Sequence, residues 1–215
     1  MVEQVLLTET RILPIASGGY APVEVMTGRG RVDFRWYEVE GAEAAVLMVG
    51  GVGGGWDSPA HDLYPWLCQE LPKAGIAALR VRFRHSSQLN EALHDVLAGI
   101  AFLEGEGIKR VGLVGHSFGG AVVTQAAALS PDVDALVTIA TQAYGATLAD
   151  QVLCQTLMLH GEQDEILPSL CTDRLASQIT APKRVEYFPG AGHCLDEVAA
   201  QIRPLLHDWL VARLR

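Results

Sequence analysis

The run Val111-Gly112-Leu113-Val114-Gly115-His116-Ser117-Phe118-Gly119-Gly120 sets a serine inside G-x-S-x-G, after an apolar stretch and before an Ala-rich, helix-forming one. A strand-turn-helix context of this kind is what a nucleophile elbow requires. The turn forces Ser117 into a strained conformation, and the following helix aims its free N–H groups at the site. The bland alternative is an ordinary strand-to-helix turn with a capping serine. A serine hydroxyl is a weak nucleophile without a base to take its proton. His193 is the candidate base, in the glycine-rich loop Pro189-Gly190-Ala191-Gly192-His193-Cys194. The base in turn needs a carboxylate to hold its tautomer. Three stand close together in His160-Gly161-Glu162-Gln163-Asp164-Glu165, namely Glu162, Asp164 and Glu165. The last part is an oxyanion hole. Val49-Gly50-Gly51-Val52-Gly53-Gly54-Gly55 closes an apolar strand with five glycines, which let backbone N–H groups approach a developing oxyanion. The N–H groups of Val52 and of Phe118 are the two candidate donors. A phosphate-binding loop fails on spacing, because positions 56 and 58 are Trp and Ser and no Gly-Lys-Ser/Thr follows.

These residues need a scaffold that brings distant loops to one edge. From Ala44 onward, apolar runs at Ala44–Val49, Ile76–Val81, Val111–Val114, Ala135–Ala140, Val152–Leu159 and Arg184–Phe188 alternate with amphipathic stretches. The clearest stretch is Leu89, Leu93, Val96, Leu97 and Ile100, with Ser86 or Ser87 as its expected cap. Others fall near His61–Leu71, Phe118–Leu129, Pro168–Gln178 and Leu195–Leu214, where Pro204 should restart or kink the helix. Doubly buried strands with helical crossovers predict an α/β fold, a mostly parallel central sheet with helices on both faces. Ligands on such a sheet sit beyond the carboxyl ends of its strands. Residues 1–43 read differently. Val5–Leu7, Val23–Val25 and Arg31–Tyr37 suggest short strands between Ser-Gly-Gly and Gly-Arg-Gly turns. Residues 1–43 and the catalytic core 44–215 are expected to form one domain.

The elbow GHSFGG, the acid loop HGEQDEILP, the histidine loop GAGH and the glycine-rich loop together resemble the α/β-hydrolase family. The resemblance covers the chain from about Ala44 to its end. It implies the order Ser117, Asp164, His193, and it favours Asp164 over its neighbours because the acid in this family commonly stands in G-x-x-D. The usual His-Gly of the oxyanion loop appears here as Gly50-Gly51. About ten residues separate the strand ending near Thr141 from the one starting near Val152, so there is no room for a lid domain. The chain therefore resembles small lid-free members such as dienelactone hydrolase-like proteins and small carboxylesterases. It departs from dienelactone hydrolase, whose nucleophile is cysteine. The resemblance implies a serine hydrolase acting on ester or thioester bonds of small substrates; a non-catalytic binder on the same fold is the alternative. Gly51, Trp56, His116, Tyr144 and Leu167 are expected to contact substrate, with Asp57, Arg84 and His85 near the mouth; Trp56 reads equally as a packing residue under the glycine loop, and Arg84 and His85 read more readily as a solvated face than as partners of an acidic substrate group. Without a lid the site should be a shallow cleft suited to short acyl groups.

Composition narrows the field further. The chain has 215 residues, 49% of them apolar and 19% charged, which describes a folded chain with a sizeable core. A net charge of −9 argues against binding nucleic acid or an anionic membrane. The longest apolar stretch, Ala44–Val52, is far too short to span a bilayer. The N-terminal segment MVEQVLLTETRILP has no basic start and reads as no secretory signal. Cys68, Cys154, Cys171 and Cys194 show no CxxC spacing and are expected as reduced thiols in a cytoplasmic setting. No metal or cofactor is expected, and His61, His85, His94, His160 and His207 are assigned structural roles.

Overall fold

The computed structural model describes residues 5–215; residues 1–4, the start of the N-terminal segment discussed above, lie outside the described residues. The strands are β1 (Leu7–Ile12), β2 (Ala21–Thr27), β3 (Gly30–Tyr37), β4 (Ala44–Val49), β5 (Ala77–Arg82), β6 (Arg110–His116), β7 (Val133–Ile139), β8 (Gln155–Gly161) and β9 (Lys183–Phe188). The helices are α1 (Pro59–Glu70), α2 (Leu89–Gly105), α3 (Phe118–Leu129), α4 (Leu170–Gln178) and α5 (Ala199–Leu214). The strands form one sheet in the order β1-β2-β3-β5-β4-β6-β7-β8-β9. The six strands from β5 to β9 in that order run parallel, and β1, β2 and β3 extend the sheet antiparallel beyond β5. The N-terminal strands thus lengthen the catalytic sheet.

Side chains on successive residues of a strand point to opposite faces, and both faces here are apolar. In β4, Ala45, Leu47 and Val49 pack with α2 and α3. Val46 and Met48 pack with α1 and α5 on the other face. Burial on both faces is why these strands are continuous apolar runs. In β2 and β3 only one face is fully buried, so Val23, Val25, Val32, Phe34 and Trp36 alternate with partly exposed polar residues.

Several local expectations are corrected. The first strand starts at Leu7, the last residue of the expected run. The cap of α2 is Gln88; the hydroxyl of Ser86 instead donates to the Val52 carbonyl at 2.9 Å. The helix expected at His61 opens with a left-handed turn, Ala60 (φ 50°), His61 (φ 49°) and Asp62 (φ 65°). Such a conformation costs non-glycine residues roughly 1–2 kcal/mol each. Here it is held by the Ala60 N–H donating to the Cys194 carbonyl at 2.8 Å and the His61 N–H donating to Asp196 Oδ1 at 2.8 Å. Helix α5 runs on through Pro204 without restarting. Between β7 and β8, residues 140–154 contain one 3-10 turn, Ala149–Gln151, and no lid helix. Among the described residues no helix is long and apolar enough to cross a membrane.

Candidate active site

Strand β6 delivers Ser117 at its carboxyl end, and α3 starts at the next residue. Ser117 has φ 55° and ψ −118°, a conformation that costs a non-glycine residue of order 1–3 kcal/mol. The flanking glycines explain how the turn closes. A Cβ on Gly115 would lie 2.3 Å from the Gly119 carbonyl oxygen, and one on Gly119 would lie 2.2 Å from that of Gly50. The motif is therefore a packing requirement of this turn.

Loops after β8 and β9 bring the candidate acid and the candidate base together. Asp164 Oδ2 accepts from His193 Nδ1 at 2.7 Å. Its other oxygen, Oδ1, accepts the backbone N–H groups of Ile166 at 2.8 Å and Leu167 at 2.7 Å. Burial pushes the Asp164 carboxyl up, but the Leu167 N–H, His193 and the Ile166 N–H outweigh it and hold it below its usual value. Of the three carboxylates that the spacing left open, only Asp164 meets His193; Glu162 and Glu165 are exposed. Leu167, expected to contact substrate, donates its backbone N–H to Asp164.

A buried histidine that the residue pattern gave no catalytic part stands behind this pair. His160 Nε2 lies 3.0 Å from the Leu167 carbonyl and 3.2 Å from Asp164 Oδ2, while Nδ1 meets Thr172 Oγ1 at 2.7 Å. Both partners of Nε2 are acceptors, so that nitrogen carries the hydrogen. The i,i+4 placement of His160 and Asp164 at a strand end was the available signal.

His116, next to the serine, is buried and its ring lies 4.8 Å from that of His193. Its Nε2–H donates to the His193 carbonyl at 3.1 Å. Burial drops its pKa to about 4, more than the hydrogen bond to His193 restores, so the ring is neutral near pH 7. No direct hydrogen bond joins Ser117 to His193, a common feature of sites without substrate.

The glycine loop abuts the serine: a Cβ on Gly51 would come within 3.3 Å of Ser117 Cβ. The Gly51 N–H is taken by Asp57 Oδ2 at 3.0 Å. Among the described residues the N–H groups of Val52 and Phe118 have no acceptor. Asp57 also fills the space where a side chain at position 50 would begin, since a Cβ on Gly50 would fall 1.6 Å from its Oδ1. This accounts for Gly-Gly where the resemblance leads one to expect His-Gly. Burial raises the Asp57 carboxyl above its usual value, against the Gly51 N–H and the buried Arg80.

The remaining mouth residues separate. The Trp56 ring stacks under Arg35, 4.3 Å from its guanidinium, and its carbonyl accepts from Arg80. Tyr144 is 87% exposed on the loop after β7. Arg84 does not face the site; it is bound to Asp95 at 2.5 Å and Glu91 at 3.0 Å. His85 lines an outer cleft with Arg31, Asp33 and Arg82.

A nine-stranded, mostly parallel sheet with helices on both faces and a serine elbow at its carboxyl edge is the α/β-hydrolase fold. Within that fold the chain belongs to the dienelactone hydrolase family, whose model matches residues 68–202. Family membership supports an ester-hydrolysing activity. No curated protein sequence matches the chain. Solved structures that resemble it include dienelactone hydrolase from Anabaena variabilis, with 20% identity, TM-score 0.77, and 99% of this chain and 100% of that one covered. Est1E from Butyrivibrio proteoclasticus aligns at 16% identity and TM-score 0.76, covering 89% of this chain and 98% of that one. The esterase domain of a Rhodothermus marinus protein aligns at 22% identity and TM-score 0.75, covering 91% and 100%. Identities this low carry the shared fold.

Proposed function

We propose that the chain is a serine hydrolase that cleaves carboxylic ester or thioester bonds of small substrates through an acyl-enzyme on Ser117. The reading rests above all on the hydrogen bond between Asp164 and His193 at the same sheet edge as the strained Ser117. Ser117 Oγ attacks the carbonyl carbon and passes its proton to His193 Nε2. Asp164 holds the Nδ1–H tautomer and stabilises the imidazolium. The oxyanion accepts from the N–H groups of Val52 and Phe118, neither of which is spent on an acceptor among the described residues. His193 returns the proton to the leaving oxygen or sulfur, and water repeats the sequence to release the acid. His116 is the weaker base of the two candidates by environment, because burial lowers its pKa to about 4. A fluorophosphonate probe should attach to the peptide carrying Ser117; an intact, unlabelled protein would leave the fold as a non-catalytic binder.

Asp57 is the positioning residue of the oxyanion loop in this scheme. By taking the Gly51 N–H it fixes the Gly50–Gly51 peptide, next to the one that presents the Val52 N–H. Asp57→Ala should lower kcat by about tenfold to a hundredfold, the range for a misplaced catalytic group, with little change in KM. Asp57→Asn keeps an acceptor and should recover most of the loss. Equal losses in the two variants, or a loss confined to KM, would contradict this role.

The open loop over residues 140–154 sets a second expectation. No lid helix stands over this edge among the described residues, so the far end of a long linear acyl chain leaves methylenes in water, each forgoing roughly 0.8 kcal/mol of burial. Along a series of linear para-nitrophenyl esters, kcat/KM should stop rising at about six acyl carbons. A steady climb to about twelve carbons would demand a deep apolar tunnel.

A further inference from the structure

The carboxyl edge of the sheet has two sides, and the candidate catalytic groups occupy them unequally. His193 stands on the side of that edge covered by α1 and α5. Its flanking residues Ala191 and Leu195, and Ala60 beneath them, all belong to that core. On the opposite face, over α2 and α3, lies an open groove of about 800 Å³ between the start of α2 and the loop after β7. Leu89, in one wall, and Ala146, next to the Gly145 of the other, pack into that second core. Each wall is tied to the reacting centre. One begins at Phe83, packed edge-on against Phe118 at 5.8 Å, and continues to Ser86, whose hydroxyl donates to the Val52 carbonyl. The other begins at Gln142, whose N–H donates to the Ser117 carbonyl at 3.3 Å, and whose side chain donates to the Tyr144 carbonyl at 2.7 Å.

From this placement we infer that the groove is the acyl subsite, and that it receives an uncharged, flat acyl group of the arylalkanoyl type; the inference rests on the serine-hydrolase reading above. With the carbonyl oxygen between Val52 and Phe118, the two other substituents of the carbonyl carbon diverge. The leaving group must lie on the His193 side to receive its proton. The acyl substituent then points across the sheet edge into the groove. There it meets the exposed ring of Tyr144 and the half-buried Leu89, a pair of walls suited to a planar apolar group.

Charge at the far end selects against an ionised substituent. Arg29 pairs with Glu91 at 2.8 Å, Glu91 with Arg84 at 3.0 Å, and Arg84 with the fully buried Asp95 at 2.5 Å. Two cations and two anions are already matched. A carboxylate on the acyl group would have to displace Glu91 or stay in water.

Para-nitrophenyl esters test this with the leaving group held constant. For the wild-type chain, kcat/KM on the phenylpropanoate should exceed that on the butanoate by about tenfold, the order expected for filling an apolar site with a ring. The hemisuccinate should be slower than the butanoate. Tyr144→Ala removes one wall and Ser87→Trp fills the groove, both at exposed positions. Each should bring the phenylpropanoate to butanoate ratio close to one. Moving the ring to the alcohol side, as phenylethyl acetate against ethyl acetate, should give a ratio that neither variant changes. A wild-type ratio near one, a preference for the hemisuccinate, or variants that alter only the alcohol series would each overturn the assignment while the hydrolase reading stands. No turnover of any ester would instead sink that reading, and the subsite with it.

Discussion

Ser117→Ala is expected to fold and to lose turnover by about 10⁴- to 10⁶-fold, because the members of a nucleophile-base-acid set act as a unit. Folding should survive for two reasons visible at the site. Among the described residues the hydroxyl makes no hydrogen bond, so its removal leaves no buried partner there unsatisfied. Alanine keeps the Cβ that the turn already accommodates at φ 55°. The strain itself can be read separately. Ser117→Gly relieves the positive φ and should raise thermal stability by about 1 kcal/mol while abolishing activity just as completely. A stability gain on losing the nucleophile identifies the strain as belonging to function. The measurements are turnover of para-nitrophenyl butanoate and thermal melts of the three proteins. Activity of the alanine variant within about tenfold of the parent would remove Ser117 from the chemistry.

The parts of the site that could be read from sequence were those whose geometry is local. The elbow is a contiguous run in which Gly115 meets Gly119 across a single turn, so its spacing announces it. The parallel strands were legible because burial on both faces leaves no polar residue to interrupt β4 or β6. What escaped depends on chain segments that meet only after folding. Arg84 looks like a free cation at a strand end, yet its partner Asp95 sits one helical turn and a half into α2. Trp56 looks like a pocket aromatic, but Arg35 on β3 covers its ring. The left-handed turn at Ala60–Asp62 has no glycine to announce it and is held by acceptors more than a hundred residues away, at Cys194 and Asp196. The antiparallel pairing of β3 with β5 is non-local in the same sense. Alternation revealed β3 as a strand without revealing its neighbour.

Asp164→Asn is expected to lower turnover by about 10⁴-fold through the tautomer of the base. Hydrogen bonding fixes how the amide must sit. Two backbone N–H groups, from Ile166 and Leu167, point at Oδ1, so the amide oxygen has to take that place. Its NH₂ is then turned toward His193 Nδ1 and His160 Nε2. To accept from the amide, His193 must give up the hydrogen on Nδ1 and carry it on Nε2. Nε2 is the atom that should take the proton of Ser117, and it no longer can. His160 faces the amide donor with its own N–H, a donor-donor contact that should also cost about 1–3 kcal/mol of stability. Acid sensitivity gives an independent check. The Asp164 carboxyl is held below its usual value, so it contributes stability in full above the unfolded carboxyl range, about pH 3.9, and loses it as pH falls through the folded pKa. The amide has no such titration, and the difference in stability between the two proteins should shrink at low pH. Glu162→Gln and Glu165→Gln, on exposed side chains of the same loop, should stay within about threefold of the parent. An inactive Glu165→Gln beside an active Asp164→Asn would transfer the acid's role to the neighbouring carboxylate, against the observed 2.7 Å contact.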